Sequence, residues 1–138
     1  MMLIAQSGSA VSKSLVTLAI IGAALAAGVL LLPKGFSGDT SKIGQGVPVA
    51  VLTHDRNTVY SQEVMDVMNK VRNDYAGRFE FVVVDLGSEK DRPFLQQQRL
   101  NSAALLLFSP DGRRLGTVDN ATEEQALRAA LDRVLAGS

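Results

Sequence analysis

The sequence predicts an α/β fold: a mixed four-stranded sheet flanked by helices, preceded by one N-terminal transmembrane helix. Three observations carry this. An uncharged apolar run extends from Leu15 to Leu32. Beyond it, short apolar strands alternate with stretches of helical apolar spacing. Ser109-Pro110-Asp111-Gly112 then places Pro and Gly where a tight turn wants them, joining a third strand to a returning fourth. The boundaries read as an N-terminal tail over 1–14, a transmembrane helix over 15–33, a flexible linker over 34–47 and a folded domain over 48–138.

The run LVTLAIIGAALAAGVLLL has Thr17 as its only hydroxyl and shows no polar face. At 1.5 Å per residue it spans about 27 Å, close to the bilayer hydrocarbon thickness. Pro33 and Lys34 end it. Ala24-Leu25-Ala26 offers a signal-peptidase-like site. Cutting there would leave Gly28 to Leu32 exposed at a new N-terminus, so an uncleaved anchor is the preferred reading. Lys13 lies on one side, Lys34 and Lys42 on the other, which leaves orientation nearly balanced. A single-pass signal-anchor with the domain on the extracytoplasmic side, periplasm or lumen, is the expectation. Gly22 with Ala26, and Ala24 with Gly28, put small residues at four-residue spacing for close helix packing in lipid.

The linker, GFSGDTSKIGQG, is rich in Gly and Ser and reads as a tether. Val49 to Thr53 is a short buried strand. From Ser61 to Tyr75 the apolar positions Val64, Val67, Met68, Val71 and Tyr75 mark an amphipathic helix, with Glu63 and Asp66 early in it and Gly77 as its stop. Phe79 to Leu86 is the strongest strand, apolar on both faces as a covered central strand requires. Asp91 to Leu100 reads as a shorter helix, with Asp91 as N-cap and Pro93 in the first turn. Ala103 to Phe108 is the third strand and Arg114 to Val118 the fourth. Thr122 and Gln125 form a capping box before a last helix carrying Leu127, Ala130, Leu131 and Leu135 on one face. Two crossovers imply parallel pairing, and the hairpin adds an antiparallel edge.

Composition removes several kinds of function. The chain has 14 basic and 14 acidic residues and no net charge, so it has no field to gather nucleic acid. It has no cysteine and one histidine. Thiolate catalysis, disulfides and Cys-based metal sites are excluded, and a histidine-based metal centre is not expected. No cofactor signature occurs, because Gly44 and Gly46 precede the first strand.

The element order resembles that of the thioredoxin-like superfamily. Val82-Val83-Val84-Asp85 is similar to the family's central strand, Pro93-x-Leu95 to the start of the next helix, and Leu105 to Phe108 with Asp111-Gly112 to the following strand and turn. The likeness spans Pro48 to Leu135. The departures fall on the redox elements. Where the family carries C-x-x-C, this chain has about Arg56-Asn57-Thr58-Val59. Neither Arg nor Val can replace an attacking thiolate. Ala103 stands at the family's cis-proline, where a cis bond would cost about 3 kcal/mol and trans is expected. The family's buried acid would fall near Ala50. The resemblance thus implies a redox-inactive domain, not an enzyme, that keeps the fold's capacity to bind an extended peptide beside the first helix. The binding residues it points to are His54, Asp55, Arg56, Asn57, Tyr60, Ser102 and Ala103.

Other clusters read as structural. His54 and Asp55 lack a nucleophile motif and point to opposite sides at a strand end. Asp85, Glu89 and Asp91 do not match a calcium loop. Arg113-Arg114 and Gln96-Gln97-Gln98 read as solvated, with an acidic partner, lipid headgroups or a helical interface as the alternatives. The expected function is a membrane-tethered binding or assembly module docking on a membrane protein or complex. The alternatives are an accessory subunit whose helix packs in a respiratory or photosynthetic complex, and a thiol–disulfide helper relying on a partner's cysteines. The full chain should stay in the membrane pellet after alkaline carbonate extraction, and removal of residues 1–34 should release it; full-chain protein in the supernatant would refute the anchor.

Overall fold

The computed structural model describes residue 16 and residues 35–137. The chain divides into two units, Met1–Lys34 and Gly35–Ser138. Val16 apart, the expected tail over 1–14 and transmembrane helix over 15–33, with Gly22, Ala24, Ala26 and Gly28, lie outside the described residues. Among the described residues no helix is long and apolar enough to cross a membrane.

Seven regular elements follow in the second unit. They are β1 (Val49–His54), α1 (Val59–Val71), β2 (Glu80–Asp85), α2 (Arg92–Gln97), β3 (Ala104–Phe108), β4 (Arg114–Thr117) and α3 (Glu124–Ala136). The sheet order is β2-β1-β3-β4. Val49 to Thr53 alternate between the two faces of the sheet and are all fully buried. Ala50 and Leu52 meet Phe81, Leu105 and Leu107 under α1 and α3. Val49 and Val51 join Val82, Val84, Leu106 and Phe108 under Leu95 of α2. Helices therefore cover both faces, as the sequence predicts.

The pairing corrects one expectation. β1 pairs with β2 in parallel, but β3 runs antiparallel to β1. The second crossover does not yield a parallel pair. A parallel return must travel the length of a strand, about 20 Å for six residues. α2 has six residues, which advance about 9 Å. β3 therefore starts at the end of the sheet where β2 stops, with Thr53 opposite Ala104.

The helix ends also differ from expectation. α1 begins at Val59, capped by Thr58, whose Oγ1 accepts the Ser61 N–H at 3.5 Å. Its last turn tightens into a 3-10 segment, Arg72–Tyr75. Glu63 and Asp66 thus fall after the first turn. The Thr122 and Gln125 capping box does not form: Glu123 occupies the N-cap of α3 without a side-chain bond. Asp91 holds the N-cap position of α2, yet its Oδ2 accepts the Asp85 N–H at 2.9 Å instead.

Residues 35–46, expected as a flexible linker, lie on the domain. Phe36 packs 6.5 Å from the Phe81 ring, and the Arg72 guanidinium sits 4.1 Å from the Phe36 centroid. Ser37 bridges to Val82 in parallel, and its carbonyl accepts the Val83 N–H at 2.9 Å. Thr40–Lys42 forms a 3-10 turn capped by Asp39. Gly46 donates to the Pro110 carbonyl at 3.0 Å. The reason is the open edge of β2, whose free backbone groups are a template for pairing. A Gly/Ser-rich segment from before β1, distant in sequence from β2, fills it without apolar periodicity of its own.

Tyr75 ties the end of α1 to α3. Its hydroxyl donates to Asp132 Oδ1 at 2.7 Å, and Arg128 pairs with Asp74 at 2.8 Å. Burial first, and then the bonded carboxylate, push the Tyr75 phenol above its ordinary pKa. Phe36→Ala should cost about 2 kcal/mol in urea denaturation, by loss of buried ring area and of the cation contact. A change below about 0.5 kcal/mol would mean that the segment contributes nothing to the fold.

Candidate functional site

The predicted binding residues gather at the end of the sheet where β1 and β2 stop and β3 starts. The geometry divides them into two flanks of β1.

On the β2 flank, Asp55, Arg56 and Asn57 line a cleft of about 390 Å³ together with Asp85, Gly87 and Ser88. Asp55 builds the turn that enters α1. Its Oδ1 accepts the Asn57 N–H at 2.9 Å, and its carbonyl accepts the Thr58 N–H at 3.1 Å. Its own N–H donates to Ser61 Oγ at 2.9 Å, and that hydroxyl lies 2.9 Å from Thr58 Oγ1. Turns of this kind let a short polar side chain replace a backbone partner. Asp55 is therefore spent on structure and is not held against His54 as an acid–base partner.

Arg56 spans the cleft, with its Nε 2.9 Å from Asp85 Oδ2. Asp85 Oδ1 accepts the Gly87 N–H at 2.8 Å. That backbone bond and the Arg56 guanidinium hold the Asp85 carboxyl below the usual carboxylate range, against the opposing effect of partial burial. Glu89 pairs with Arg92 at 3.7 Å. The carboxylates of Asp85, Glu89 and Asp91 are thus divided among separate partners, and no cluster of His, Asp and Glu among the described residues is placed to hold a metal ion.

His54 ends β1. Its carbonyl accepts the Leu86 N–H at 3.0 Å. Its Nδ1 is buried and has no hydrogen-bond partner. His54 is not among the residues that line the cleft.

On the β3 flank, Thr53 Oγ1 accepts the Ala104 N–H at 2.8 Å and donates to the Ser102 carbonyl at 2.8 Å, with the Ala104 carbonyl at 3.1 Å as a second acceptor. This fully buried hydroxyl fixes Ser102 and Ala103 beside the end of β1. Every described peptide bond is trans, including the one before Ala103. Tyr60 is half-buried against the helical core. Burial, and then the charge of Asp119, raise its phenol pKa. Val59 beside it projects to solvent, 74% exposed.

The structure thus brings Asp55, Arg56 and Asn57 into one cleft. It places Ser102 and Ala103 by Thr53, and Tyr60 toward Asp119. Thr53, Ser61 and Asp85 organise the site without having been read from the sequence as members of it. Thr53 carried a signal, since it is the one hydroxyl in an otherwise apolar strand. In the sequence Asp85 reads only as a strand end and as no match for a calcium loop, because its partner Arg56 is 29 residues away.

No family model matches the sequence, and no curated protein matches it. Solved structures match its fold. A thioredoxin from Thermus thermophilus aligns with a TM-score of 0.60 at 15% identity, covering 75% of this chain and 88% of that one. An uncharacterized thioredoxin-like protein from Clostridium perfringens aligns at 0.56 and 14% identity, covering 65% and 72%. The J-Trx1 fragment of ERdj5 aligns at 0.57 and 16% identity, covering 68% and 45%. The fold is thioredoxin-like, in a chain with no cysteine.

Asp85 sets a pH test. Its folded carboxyl titrates below its unfolded value. The stability it contributes is therefore complete above about pH 4 and is lost as pH falls through the lower folded value. Asp85→Asn should be destabilised against the natural protein at pH 7, and the gap should close as pH falls below about 4 in urea denaturation. A gap that does not narrow as pH falls below about 4 would contradict the assignment.

Proposed function

We propose that this chain is a redox-inactive, membrane-tethered thioredoxin-like module that binds and steadies a membrane protein or complex. One observation carries the reading: a thioredoxin-like sheet in a chain with no cysteine, whose first β–α loop is Arg56-Asn57-Thr58-Val59. Disulfide exchange needs a thiolate to attack sulfur, and no residue of the chain can supply one. The loop is instead consumed in capping α1 and in the Arg56–Asp85 pair. What it leaves outward is contact surface: the Val59 side chain, the exposed Arg56 and Asn57, and the neighbouring Tyr60, Ser102 and Ala103. An apolar side chain ringed by polar groups is a common composition for a protein contact.

The apolar run Leu15 to Leu32 supports tethering. Residues 36–46 lie on the domain, so little free chain separates that run from the fold. A partner within the same membrane would meet the domain at high effective concentration.

A photo-crosslinking amino acid at Val59, in the full chain in its native membrane, should give one discrete adduct that survives mild-detergent purification. The purified chain should not reduce insulin. Monomer alone after gentle extraction, with no adduct, would sink the binding reading; insulin turnover would sink the redox-inactive one.

A further inference from the structure

The chain reaches the domain at one end of the sheet, and its direction is fixed there. Ser37 pairs in parallel with Val82, which sets Phe36 beside Phe81. Residues before Phe36 therefore run toward the start of β2, away from the loops that form the candidate site. That site begins at Asp85, four residues farther along β2 than Phe81, or about 13 Å. At the start of the sheet the same segment is held twice more. Lys42 pairs with Glu80 at 3.4 Å, and the Gly46 N–H donates to the Pro110 carbonyl at 3.0 Å.

The two ends of the sheet differ in charge. At the loop end stand Asp55 after β1, Asp85, Glu89 and Asp91 around the start of α2, and Asp119, Glu123 and Glu124 between β4 and α3. Among the described residues, Arg56, Lys90 and Arg92 oppose them there. The balance reverses at the other end. Arg72 and Arg78 flank the turn into β2, and Arg113 and Arg114 stand at the start of β4. Arg133, in the last turn of α3, lines a pocket with Pro110 and Asp111. With Lys42 these cations outnumber the acids beside them, Asp74, Glu80, Asp111 and Asp132. Asp74 is moreover paired with Arg128 at 2.8 Å.

We propose that the domain lies on the bilayer surface by this basic end, against anionic lipid headgroups, and presents the candidate loop site away from the membrane. This deepens the function proposed above and rests on its tether. Two observations choose the occupant. The apolar run ends at Leu32, four residues before Phe36. Four residues reach at most about 14 Å, and the headgroup layer takes about 5 to 8 Å of that. With the run in the bilayer, the end of the sheet that the chain enters has no room to leave the headgroups. A soluble acidic protein would have to fit the gap that this short connection leaves. Charge then sets the tilt: anionic lipid attracts the arginine end and repels the acidic one. Lys34, between Leu32 and Phe36, adds to the same side.

The chain has no cysteine, so single labels can be placed without background. The full chain carries a fluorophore at Ala76→Cys, in the exposed turn before β2, or at Gln125→Cys, on the exposed first turn of α3. Each is reconstituted in phosphatidylcholine vesicles with and without phosphatidylglycerol, with a nitroxide quencher on the lipid headgroup. With phosphatidylglycerol, quenching at Ala76→Cys should exceed that at Gln125→Cys at least about threefold. About 1 M salt, which cuts the screening length to about 3 Å, should shrink the difference, and so should Arg78→Glu combined with Arg113→Glu. The salt arm leaves the protein's charges unaltered, so it decides the matter even where the double variant fails to fold. Equal quenching at the two labels, stronger quenching at Gln125→Cys, or a difference indifferent to salt and lipid charge would overturn the proposal. A difference lost on dilution into excess lipid would also overturn it and assign the end to contacts between copies. A labelled chain that does not float with the vesicles would refute the tether itself, and this placement with it.

Discussion

Everything in the domain hangs on β1. Val49 to Thr53 are buried on both faces, so two separate cores must form around one strand. Such a strand needs hydrogen-bonded neighbours on both edges, because an unpaired buried backbone group costs about as much as a lost hydrogen bond. β2 supplies one edge in parallel and β3 the other antiparallel. α1 and α3 then cover one face, and α2 with Ile43 the other. A polar substitution in β1 would disturb both cores at once, whereas the outer strands leave one side toward solvent.

The same strand positions the candidate site. β1 and β2 are parallel, so their loops leave the same end of the sheet. β3 begins there because α2 is too short to cross back. Thr53 converts that geometry into a fixed distance: its buried hydroxyl bonds the chain on either side of Ala103. The site is therefore rigid at its base and polar at its rim. Near the loop, Asp55, Thr58 and Ser61 are taken up by the turn and cap that enter α1, and Asp85 by Arg56 and the Gly87 N–H.

The edges of the sheet are guarded by different means. Beside β2, Ser37 takes up part of the open hydrogen-bonding row. On the other side β4 is four residues long, irregular opposite Leu107 and Phe108, and carries Arg114 with a Gly116 at φ 140°. Shortness, charge and a bulge are the features that discourage edge-to-edge pairing.

The sequence by itself determined the element types, their order, the four-stranded mixed sheet and the absence of thiol chemistry. Those follow from periodicity within ten or fifteen residues and from composition, both of which are local. It also located the β1–α1 loop and Ala103 as one end of the sheet, through resemblance in strand order. Only the tertiary structure decided the direction of β3, the docking of residues 36–46, the partner of Asp85 and the failure of the Thr122 capping box. Two of these depend on residues distant in sequence, an edge strand that recruits Ser37 and an arginine 29 positions away, and the direction of β3 depends on the short helix that sets its path back. Pairings of that kind leave no periodic trace, because each side is an ordinary polar or glycine-rich stretch until the other is brought against it.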